Sequence, residues 1–330
     1  MKLFQYVRPS ETKAAVAAIS ANANAKFLGG GTNLLDLMKH NVVMPDKLVD
    51  ITRLSLKTIT REGNKTRIGA LVKNTTVAED KSIQQSLPLL AMAINAGASA
   101  QIRNMATMGG NILQRTRCAY FYDTAMRCNK REPGSGCDAL EGYNRMHAIF
   151  GTSDKCIAVH PSDMAVALRA LDATVVVSGS KGERSIPMAD FHRLPGDTPE
   201  KDTTLAPNEL ITSIVIPDNP YSQHSYYLKV RDRNSYAFAL VSVAAALDMN
   251  GTTIRSARLA MGGVAHKPWR LTEAENYLAG KTASEDTFKA AADIAMKGAK
   301  AYEYNAFKLK MSPNTILQAL SVASGLKSAS

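Results

Sequence analysis

The chain has 330 residues, of which 45% are hydrophobic and 21% charged, and its formal net charge is +11. A chain of this length is too long to fold around one ordinary hydrophobic core, which predicts two or three domains. The composition excludes an intrinsically disordered protein. The lysines and arginines are scattered rather than grouped with aromatic residues, which argues against a nucleic-acid-binding protein. No run of about 18 apolar residues occurs, so the sequence predicts no transmembrane helix.

The first third of the sequence alternates helical and strand patterns. Ser10 precedes an alanine-rich stretch and is the expected N-cap of the first helix. The further elements expected here are a strand over 25–28, a helix over 34–39, strands over 48–51, near 58–59 and over 67–70, and a helix from about 87 to 98.

The rest of the sequence divides at the turn-rich stretch 217–222, which is the best candidate for a domain boundary. Before it we expect a helix over 164–171 and strands over 173–178 and 211–216. After it we expect strands over 226–230, 239–247 and 254–261, with a hairpin turn at 249–251, and then helices near 272–279, 285–300 and 313–326. This succession of elements predicts an α+β fold.

Two loops contain consecutive glycines, Gly29–Asn33 and Thr107–Asn111. Consecutive glycines let backbone N–H groups approach an anion closely, and a following helix N-terminus adds a favourable dipole. Neither loop matches the dinucleotide-binding fingerprint or the P-loop, so two ordinary tight turns are the alternative. With Arg103 alongside, the two loops together predict a shared phosphate cradle. Asp163 is a candidate N-cap of the following helix, a role that Ser162 could equally fill. Asp163 is also a candidate acceptor for a ribose hydroxyl, and the two roles do not exclude each other.

All four cysteines lie in one irregular segment, separated by nine, eight and eighteen residues. This spacing excludes a zinc ribbon and the common ferredoxin run, whereas four soft donors are what an iron–sulfur cluster requires. A loop of this length is unusual unless a bound group orders it. Two disulfides, a zinc site completed by His147 or His160, and inert buried thiols remain alternatives. The candidate ligands are Cys118, Cys128, Cys137 and Cys156.

No arrangement of histidine, serine, cysteine and aspartate indicates a general base or a nucleophile. This absence favours an electron-transfer subunit whose cofactor carries the chemistry. A stand-alone flavin oxidase and a flavin-free protein held by zinc or disulfides are the alternatives.

Several stretches resemble the FAD-binding medium subunit of the xanthine dehydrogenase family of molybdenum hydroxylases. The stretches that resemble the family's two flavin loops, its serine–aspartate pair and its C-terminal signature are 26–35, 102–112, Ser162 with Asp163, and 257–265 with 268–270. The cysteine-bearing segment resembles a subset of the family that adds a 4Fe-4S cluster, namely the flavin subunits of hydroxybenzoyl-CoA reductase and, more closely, of bacterial periplasmic aldehyde oxidoreductase. Residues 115–123 and 128–131 carry that closer resemblance.

The resemblance implies a PCMH-type (vanillyl-alcohol-oxidase-like) FAD-binding domain of two α+β subdomains, followed by a C-terminal domain of a small antiparallel sheet with helices. The FAD-binding domain would span 1–220, with subdomains of about 1–55 and 56–220 and a cysteine-bearing insertion over 115–158. A domain like the CO dehydrogenase flavoprotein C-terminal domain would span 221–330.

The resemblance also implies which residues bind the cofactors. Asp163 would accept from ribose or ribityl hydroxyls, Lys229 would lie near the flavin ring, and Tyr236 would cover one face of the ring unless it is an ordinary strand aromatic. The four cysteines would hold the 4Fe-4S cluster. The full set of implied FAD-binding residues is Lys26, Phe27, Leu28, Gly29, Gly30, Gly31, Thr32, Asn33, Leu34, Gly97, Arg103, Thr107, Gly110, Asn111, Ser162, Asp163 and Lys229.

The implied role is electron transfer within a heterotrimer. An aldehyde would be oxidised at a molybdenum cofactor in a large subunit, and electrons would cross two 2Fe-2S clusters of a small subunit to FAD and then to an external acceptor. A hydroxybenzoyl-CoA-reductase-like or xanthine-dehydrogenase-like enzyme is the alternative. The N-terminus has no apolar signal region, which by itself indicates the cytoplasm. The resemblance instead favours the periplasm, reached in folded form with a partner that carries the signal.

Overall fold

The computed structural model of the chain describes residues 1–328. None of the helices in that range is long and apolar enough to cross a membrane. In chain order the elements are β1 Gln5–Val7, α1 Thr12–Ser20, β2 Ala25–Leu28, α2 Leu34–Lys39, β3 Lys47–Asp50, β4 Ile59–Glu62, β5 Lys65–Gly69, α3 Asn74–Glu79, α4 Lys81–Ser86, α5 Pro88–Ala96, α6 Ala100–Met105, α7 Met108–Ile112, α8 Ala119–Tyr122, α9 Asp163–Ala170, β6 Thr174–Gly179, β7 Gly182–Pro187, α10 Met188–Phe191, β8 Leu210–Pro217, β9 Ser225–Val230, β10 Val241–Asn250, β11 Thr253–Gly262, β12 Trp269–Arg270, α11 Thr272–Leu278, α12 Glu285–Ala295 and α13 Phe307–Ala323.

The strands form three sheets. A parallel sheet has the order β1-β3-β2, a five-stranded antiparallel sheet has the order β4-β5-β8-β6-β7, and a four-stranded antiparallel sheet has the order β12-β11-β10-β9. The α+β fold with a small antiparallel sheet near its C-terminal end is therefore confirmed. The division of the first domain at about residue 55 stays a prediction, although the parallel sheet ends before that point.

Strand β10 separates two hydrophobic cores because its side chains alternate between the two faces of the sheet. Ala244 and Ala246 belong to the core that contains α5 and α9, whereas Val243, Ala245 and Leu247 belong to the core covered by α11, α12 and α13. The small alanines allow α9 to pack directly on the sheet. This packing places the first turn of α9 beside the end of α5 and the strand β9, where Asp163 bonds to Tyr227 and Lys229.

Several observed helix ends differ from the expected ones, and α12, for example, ends at Ala295 rather than near 300. Helix α1 begins at Thr12 with Glu11 in the N-cap position, so the assignment of the cap to Ser10 is wrong. Helix α5 ends at Ala96 because the backbone of Gly97 is extended. Helix α13 begins at Phe307, and Pro313 lies inside it, because packing of its apolar face on β10 outweighs the local cost of a proline.

Candidate functional site

A cavity of about 570 Å³ lies between the two glycine loops, the end of α5, the start of α9 and the loop between β9 and β10. Several lining residues were not expected from the sequence, among them Asn74, Arg117, Met146 and Phe238. They come from separate segments that the fold brings together, and no local pattern marks them. The sequence-predicted residues that line the cavity are Thr32, Asn33, Gly97, Arg103, Gly110, Asn111, Asp163 and Tyr236.

The first glycine loop presents unused hydrogen-bond donors at this cavity. Within residues 1–328 the backbone N–H groups of Gly31, Thr32 and Asn33 donate no hydrogen bond. The Asn33 Oδ1 atom accepts from the Arg115 backbone N–H at 2.9 Å, while its Nδ2 atom is buried without a partner. Consecutive free N–H groups form an anion-binding concavity, so this loop fits a phosphate-bearing ligand.

The absence of a side chain at Gly30 allows the two glycine loops to lie close together. A Cβ atom on Gly30 would lie 2.0 Å from the Met105 carbonyl oxygen, and one on Gly29 would lie 3.2 Å from Thr107 Oγ1. The expectation that the absent side chain leaves room for a phosphate is therefore wrong at Gly30, because protein backbone occupies that space. The glycine is required by packing between the loops.

The second loop has its N–H groups bonded within the protein, and those of Met108 and Gly109 donate to the carbonyl oxygens of Val72 and Ala70. Gly110 N–H donates to Thr107 Oγ1 at 3.2 Å, and Asn111 N–H donates to the Thr107 carbonyl oxygen at 2.8 Å, so Thr107 caps α7. The Asn111 side chain donates to Asn74 Oδ1 at 2.8 Å and accepts from Ser162 Oγ at 2.5 Å. This loop contributes side chains and a glycine surface to the cavity, whereas the first loop contributes free N–H groups.

Two residues that were expected to contact phosphate or ribose, Arg103 and Ser162, form hydrogen bonds within the protein. Arg103 Nη1 donates to the Gly97 carbonyl oxygen at 2.8 Å and thereby holds the end of α5. Ser162 is the N-cap of α9, since its Oγ accepts from Ala165 N–H at 3.0 Å. Asp163 is the first residue of that helix, so the cap belongs to Ser162.

The Asp163 carboxylate is buried and bonded through both oxygens. Lys229 Nζ donates to Oδ2 at 2.7 Å, and the Tyr227 hydroxyl donates to Oδ1 at 2.8 Å. Lys229 also donates to the Ala96 carbonyl oxygen at 3.0 Å, which joins β9 to α5. Burial and the charge of Asp163 raise the pKa of Tyr227 well above its usual range, so its hydroxyl keeps the donated proton.

The other predicted residues take more peripheral positions. Lys26 is exposed on β2, whereas Phe27 and Leu28 are half-buried there and Leu34 begins α2. Tyr236 lines the cavity, with a side chain that is 57% exposed and a backbone φ of +51°.

The four cysteines line one small cavity and are all free thiols. His147 Nε2 lies 3.1 Å from Cys118 Sγ, whereas the His160 ring packs against His192 with ring centroids 4.2 Å apart. Burial raises the pKa of Cys118 to about 12 and that of Cys156 to about 11, so both are protonated as free thiols at neutral pH. Across residues 1–328, no three His, Cys, Asp or Glu side chains are arranged to hold a single metal ion.

The C-terminal helix holds the cysteine-bearing segment in place. The buried Lys308 Nζ donates to the His147 carbonyl oxygen at 2.9 Å and to the Gly263 carbonyl oxygen at 2.7 Å. Asn305 Nδ2 donates to the same His147 oxygen at 3.2 Å. Because His147 contacts Cys118, helix α13 reaches the cysteines through one intervening residue.

Comparisons with known proteins agree with this architecture. Residues 2–219 match the family model of the FAD binding domain in molybdopterin dehydrogenase, and residues 226–304 match that of the CO dehydrogenase flavoprotein C-terminal domain. The chain is 48% identical over 326 residues to the aldehyde oxidoreductase FAD-binding subunit PaoB of Escherichia coli, with 98% of this chain and 99% of that one covered.

The chain also matches more distant proteins. The glyceraldehyde dehydrogenase medium chain of Sulfolobus acidocaldarius is 31% identical, over 89% of this chain and 86% of its own. A solved structure of carbon monoxide dehydrogenase from Hydrogenophaga pseudoflava matches with a TM-score of 0.78 and 26% identity, over 98% of each chain. The two family models, these relatives and the cavity between the glycine loops lead to one conclusion: the chain belongs to the family of FAD-binding medium subunits of molybdenum hydroxylases.

Proposed function

We propose that this chain is the FAD-binding electron-transfer subunit of a heterotrimeric, molybdenum-containing aldehyde oxidoreductase. The observation that carries the proposal is the cavity beside the first glycine loop, where the Asn33 amide is buried without a partner and successive N–H groups are free. The 48% identity to an aldehyde oxidoreductase FAD-binding subunit supports the aldehyde as the electron source. FAD, when bound, accepts an electron pair and passes it on singly or in pairs.

Different residues of the chain bind different parts of this cofactor. Gly31, Thr32 and Asn33 supply N–H donors for the diphosphate. Asp163, oriented by Lys229 and Tyr227, is the acceptor for sugar or ribityl hydroxyls. The Lys229 charge stays close to the cavity wall and stabilises negative charge that develops there on reduction.

We propose further that the four cysteines hold a 4Fe-4S cluster. Four thiols around one cavity are the donor set that such a cluster takes. A single zinc ion would hold its thiolates about 2.3 Å away and hence close to one another, whereas a cluster of four irons separates its ligands more widely.

The partners of the proposed assembly are a large subunit with the molybdenum cofactor and a small subunit with two 2Fe-2S clusters. Electrons would pass from the aldehyde through those groups to FAD and on to an external acceptor. We place the complex in the periplasm, exported in folded form with a partner that carries the signal. Support for this placement comes from the family resemblance.

The first test measures iron, acid-labile sulfide and FAD per chain in anaerobically purified protein. About four irons and one FAD per chain are expected. FAD without iron would leave the electron-transfer role standing and assign the cysteines to zinc or to free thiols. Protein without FAD after reconstitution would refute the central proposal.

The second test compares substrates for the complex purified with its co-expressed partners. Reduction of the bound flavin by an aromatic or aliphatic aldehyde, but not by xanthine, is the expected result. Hydroxybenzoyl-CoA, which a hydroxybenzoyl-CoA-reductase-like enzyme would reduce, should fail to re-oxidise the reduced flavin. Cell fractionation then checks the compartment: the chain should leave the periplasm when the signal of its partner is deleted.

A further inference from the structure

A buried lysine, Lys130, belongs to the wall of the small cavity that the four cysteines line, here called the cysteine cavity. Its side chain is 1% exposed, so water does not screen the ammonium group. Lys130 Nζ donates to the Pro199 carbonyl oxygen at 2.7 Å and to the Asp202 carboxylate. A buried charge is costly unless groups of opposite sign compensate it, so the charges around Lys130 indicate what the cavity accommodates.

The Asp202 carboxylate is shared between Lys130 and a second cation. Arg115 Nε donates to Asp202 Oδ2 at 2.6 Å, while Lys130 donates to Oδ1. Burial acts to raise the pKa of Asp202, but the charges of Lys130 and Arg115 outweigh it and hold that pKa well below its usual range. His266 Nε2 lies 3.7 Å from Asp202 Oδ1, yet burial lowers the pKa of His266 to about 4, so this ring is neutral at pH 7. Two cations therefore share one carboxylate, and one positive charge is in excess.

The wall of the cysteine cavity has no carboxylate to balance this excess. Its lysine and arginine residues are Arg127, Lys130 and Lys155, and none of the described residues that line it is an aspartate or a glutamate. The Arg127 and Lys155 side chains are 68% and 42% exposed and pair with Asp138 and Asp197, so water and those partners screen both charges. Among the described residues of this wall, Lys130 is therefore the one buried cation.

A second buried lysine, Lys308, lies outside this wall. Its Nζ donates only to the carbonyl oxygens of His147 and Gly263, and it has no carboxylate partner within residues 1–328. Burial lowers the pKa of Lys308 to about 7, so this side chain is only partly charged at neutral pH. Lys308 adds to the positive excess around the cysteine-bearing segment but does not line the cysteine cavity.

The Lys130 charge affects at least one cysteine sulfur. Burial raises the pKa of the Cys156 thiol to about 11, and the charge of Lys130 acts against that rise by favouring the thiolate. A 4Fe-4S core with four thiolates has a net charge of about −2, and one-electron reduction adds a further negative charge. A buried cation beside such a group favours the more negative, reduced form and so raises its reduction potential.

We propose that Lys130 raises the reduction potential of the 4Fe-4S cluster, and that Asp202 limits the increase by partly neutralising Lys130 and Arg115. This role rests on the proposed function, because it requires that the four cysteines hold that cluster. The excess positive charge of the three side chains is then balanced by the anionic group in the cavity. The one-electron equilibrium of the cluster thus depends on three residues that bind neither iron nor flavin.

The test is an anaerobic reductive titration of the holoenzyme with dithionite as the electron donor, read from the EPR signal of the reduced cluster. Lys130→Met keeps most of the side-chain volume and leaves Asp202 paired with Arg115. We expect it to shift the equilibrium at least tenfold toward the oxidised cluster, a fall of about 59 mV or more for a one-electron couple. The flavin potential, read from the visible spectrum, should change less than twofold in the same units, because Lys130 does not line the cofactor cavity between the glycine loops.

Asp202→Asn should act in the opposite direction. It removes the carboxylate and leaves both cations, so the equilibrium should shift at least threefold toward the reduced cluster. General damage to the fold would not give shifts of opposite sign in the two variants. Lys155→Met is the matched control, because it removes a cation from the same wall whose charge is already screened by water, and it should stay within twofold of wild type.

Potentials within twofold of wild type in both variants, or shifts of the same sign, would overturn the role of Lys130 and leave the cluster in place. If Lys130→Met retains no iron, the sign of the shift in Asp202→Asn decides alone, and a shift toward the oxidised cluster would refute the proposal. A wild-type holoenzyme with FAD but no iron would refute the cluster and this role together, while electron transfer by the flavin would stand.

Discussion

Lys229 and Asp163 form a buried ion pair, 2.7 Å between Nζ and Oδ2, that joins strand β9 to the first turn of helix α9. Both side chains are almost fully buried, so neither charge has water as an alternative partner. Removing one partner of a buried pair leaves an uncompensated charge and typically costs about 3–5 kcal/mol.

Lys229→Met should therefore lower the free energy of unfolding by about 3 kcal/mol or more, measured by urea denaturation of the FAD-free chain. Lys229→Met combined with Asp163→Asn should lose less than the sum of the two single variants, because the second change removes the stranded charge. The exposed pair Lys2–Asp46 is the control, and Lys2→Met should leave the urea midpoint almost unchanged. Additive losses in the double variant would show that the two side chains act independently.

Gly30 is expected to tolerate no side chain at all. Gly30→Ala would place Cβ 2.0 Å from the Met105 carbonyl oxygen, so the two glycine loops must move apart. We expect loss of bound FAD, read from the visible spectrum, together with a lower melting temperature. Gly29→Ala is the matched neighbour, whose Cβ has its nearest contact, the Thr107 hydroxyl, at 3.2 Å, and it should keep most of its FAD. Equal behaviour of the two variants would contradict the packing role of Gly30.

Cys128→Ser should remove the four-iron signal and leave most of the flavin in place. The cysteine lies with the other three around their shared cavity and does not line the cofactor cavity, so its loss should affect the two groups unequally. Iron and FAD analysis of the same preparation gives both readouts. Unchanged iron content in this variant would refute the ligand assignment.

The stability of the chain should fall as the pH drops below about 6.5. Burial lowers the pKa of His192 to about 4, so the folded state keeps this ring neutral while the unfolded state takes up a proton below about 6.5. Between pH 6.5 and pH 4 the unfolded state thus binds more protons than the folded state. The contribution of the neutral His192 ring to the free energy of unfolding is therefore complete above pH 6.5 and decreases as the pH falls to 4.

His192→Gln isolates this contribution. The glutamine amide can replace the hydrogen bond from His192 Nε2 to the Ile112 carbonyl oxygen, 2.7 Å long, and it does not titrate. Between pH 7 and pH 5 the wild type should lose about 2 kcal/mol more than the variant, measured as the free energy of unfolding in urea. Parallel pH profiles for the two proteins would mean that His192 is protonated in the folded state as well.

The elements that local patterns specify were predicted well from the sequence. The β10–β11 hairpin is an example, because a nearly continuous apolar run meets a turn at Gly251, whose φ is +57°. The first glycine loop also lies where its pattern indicates, at the wall of the cofactor cavity. Short helices such as α6 and α7 escaped prediction, because a few residues give too little periodicity to recognise.

Sequence patterns could not predict which residues contact one another in the site. Asp163 and Lys229 are 66 positions apart, and no periodicity connects them before α9 packs on β10. Arg117 and Phe238 meet at the cofactor cavity with the guanidinium 5.2 Å from the ring centroid, although they come from the cysteine-bearing segment and the β9–β10 loop. Family resemblance suggested the roles that we propose for Asp163 and Lys229, whereas Arg117 was found only from the fold.

The hydrogen bonds from Lys308 and Asn305 to the His147 carbonyl oxygen determine when the cysteine-bearing segment can fold during synthesis. Those bonds span 161 and 158 positions of the chain, so they form only after the C-terminal helix has left the ribosome. The segment that presents the cysteines is therefore among the last parts to reach its native shape during synthesis. If the four cysteines hold the proposed 4Fe-4S cluster, its assembly on this chain is a post-translational event, and a chain truncated before Asn305 should be unable to retain it.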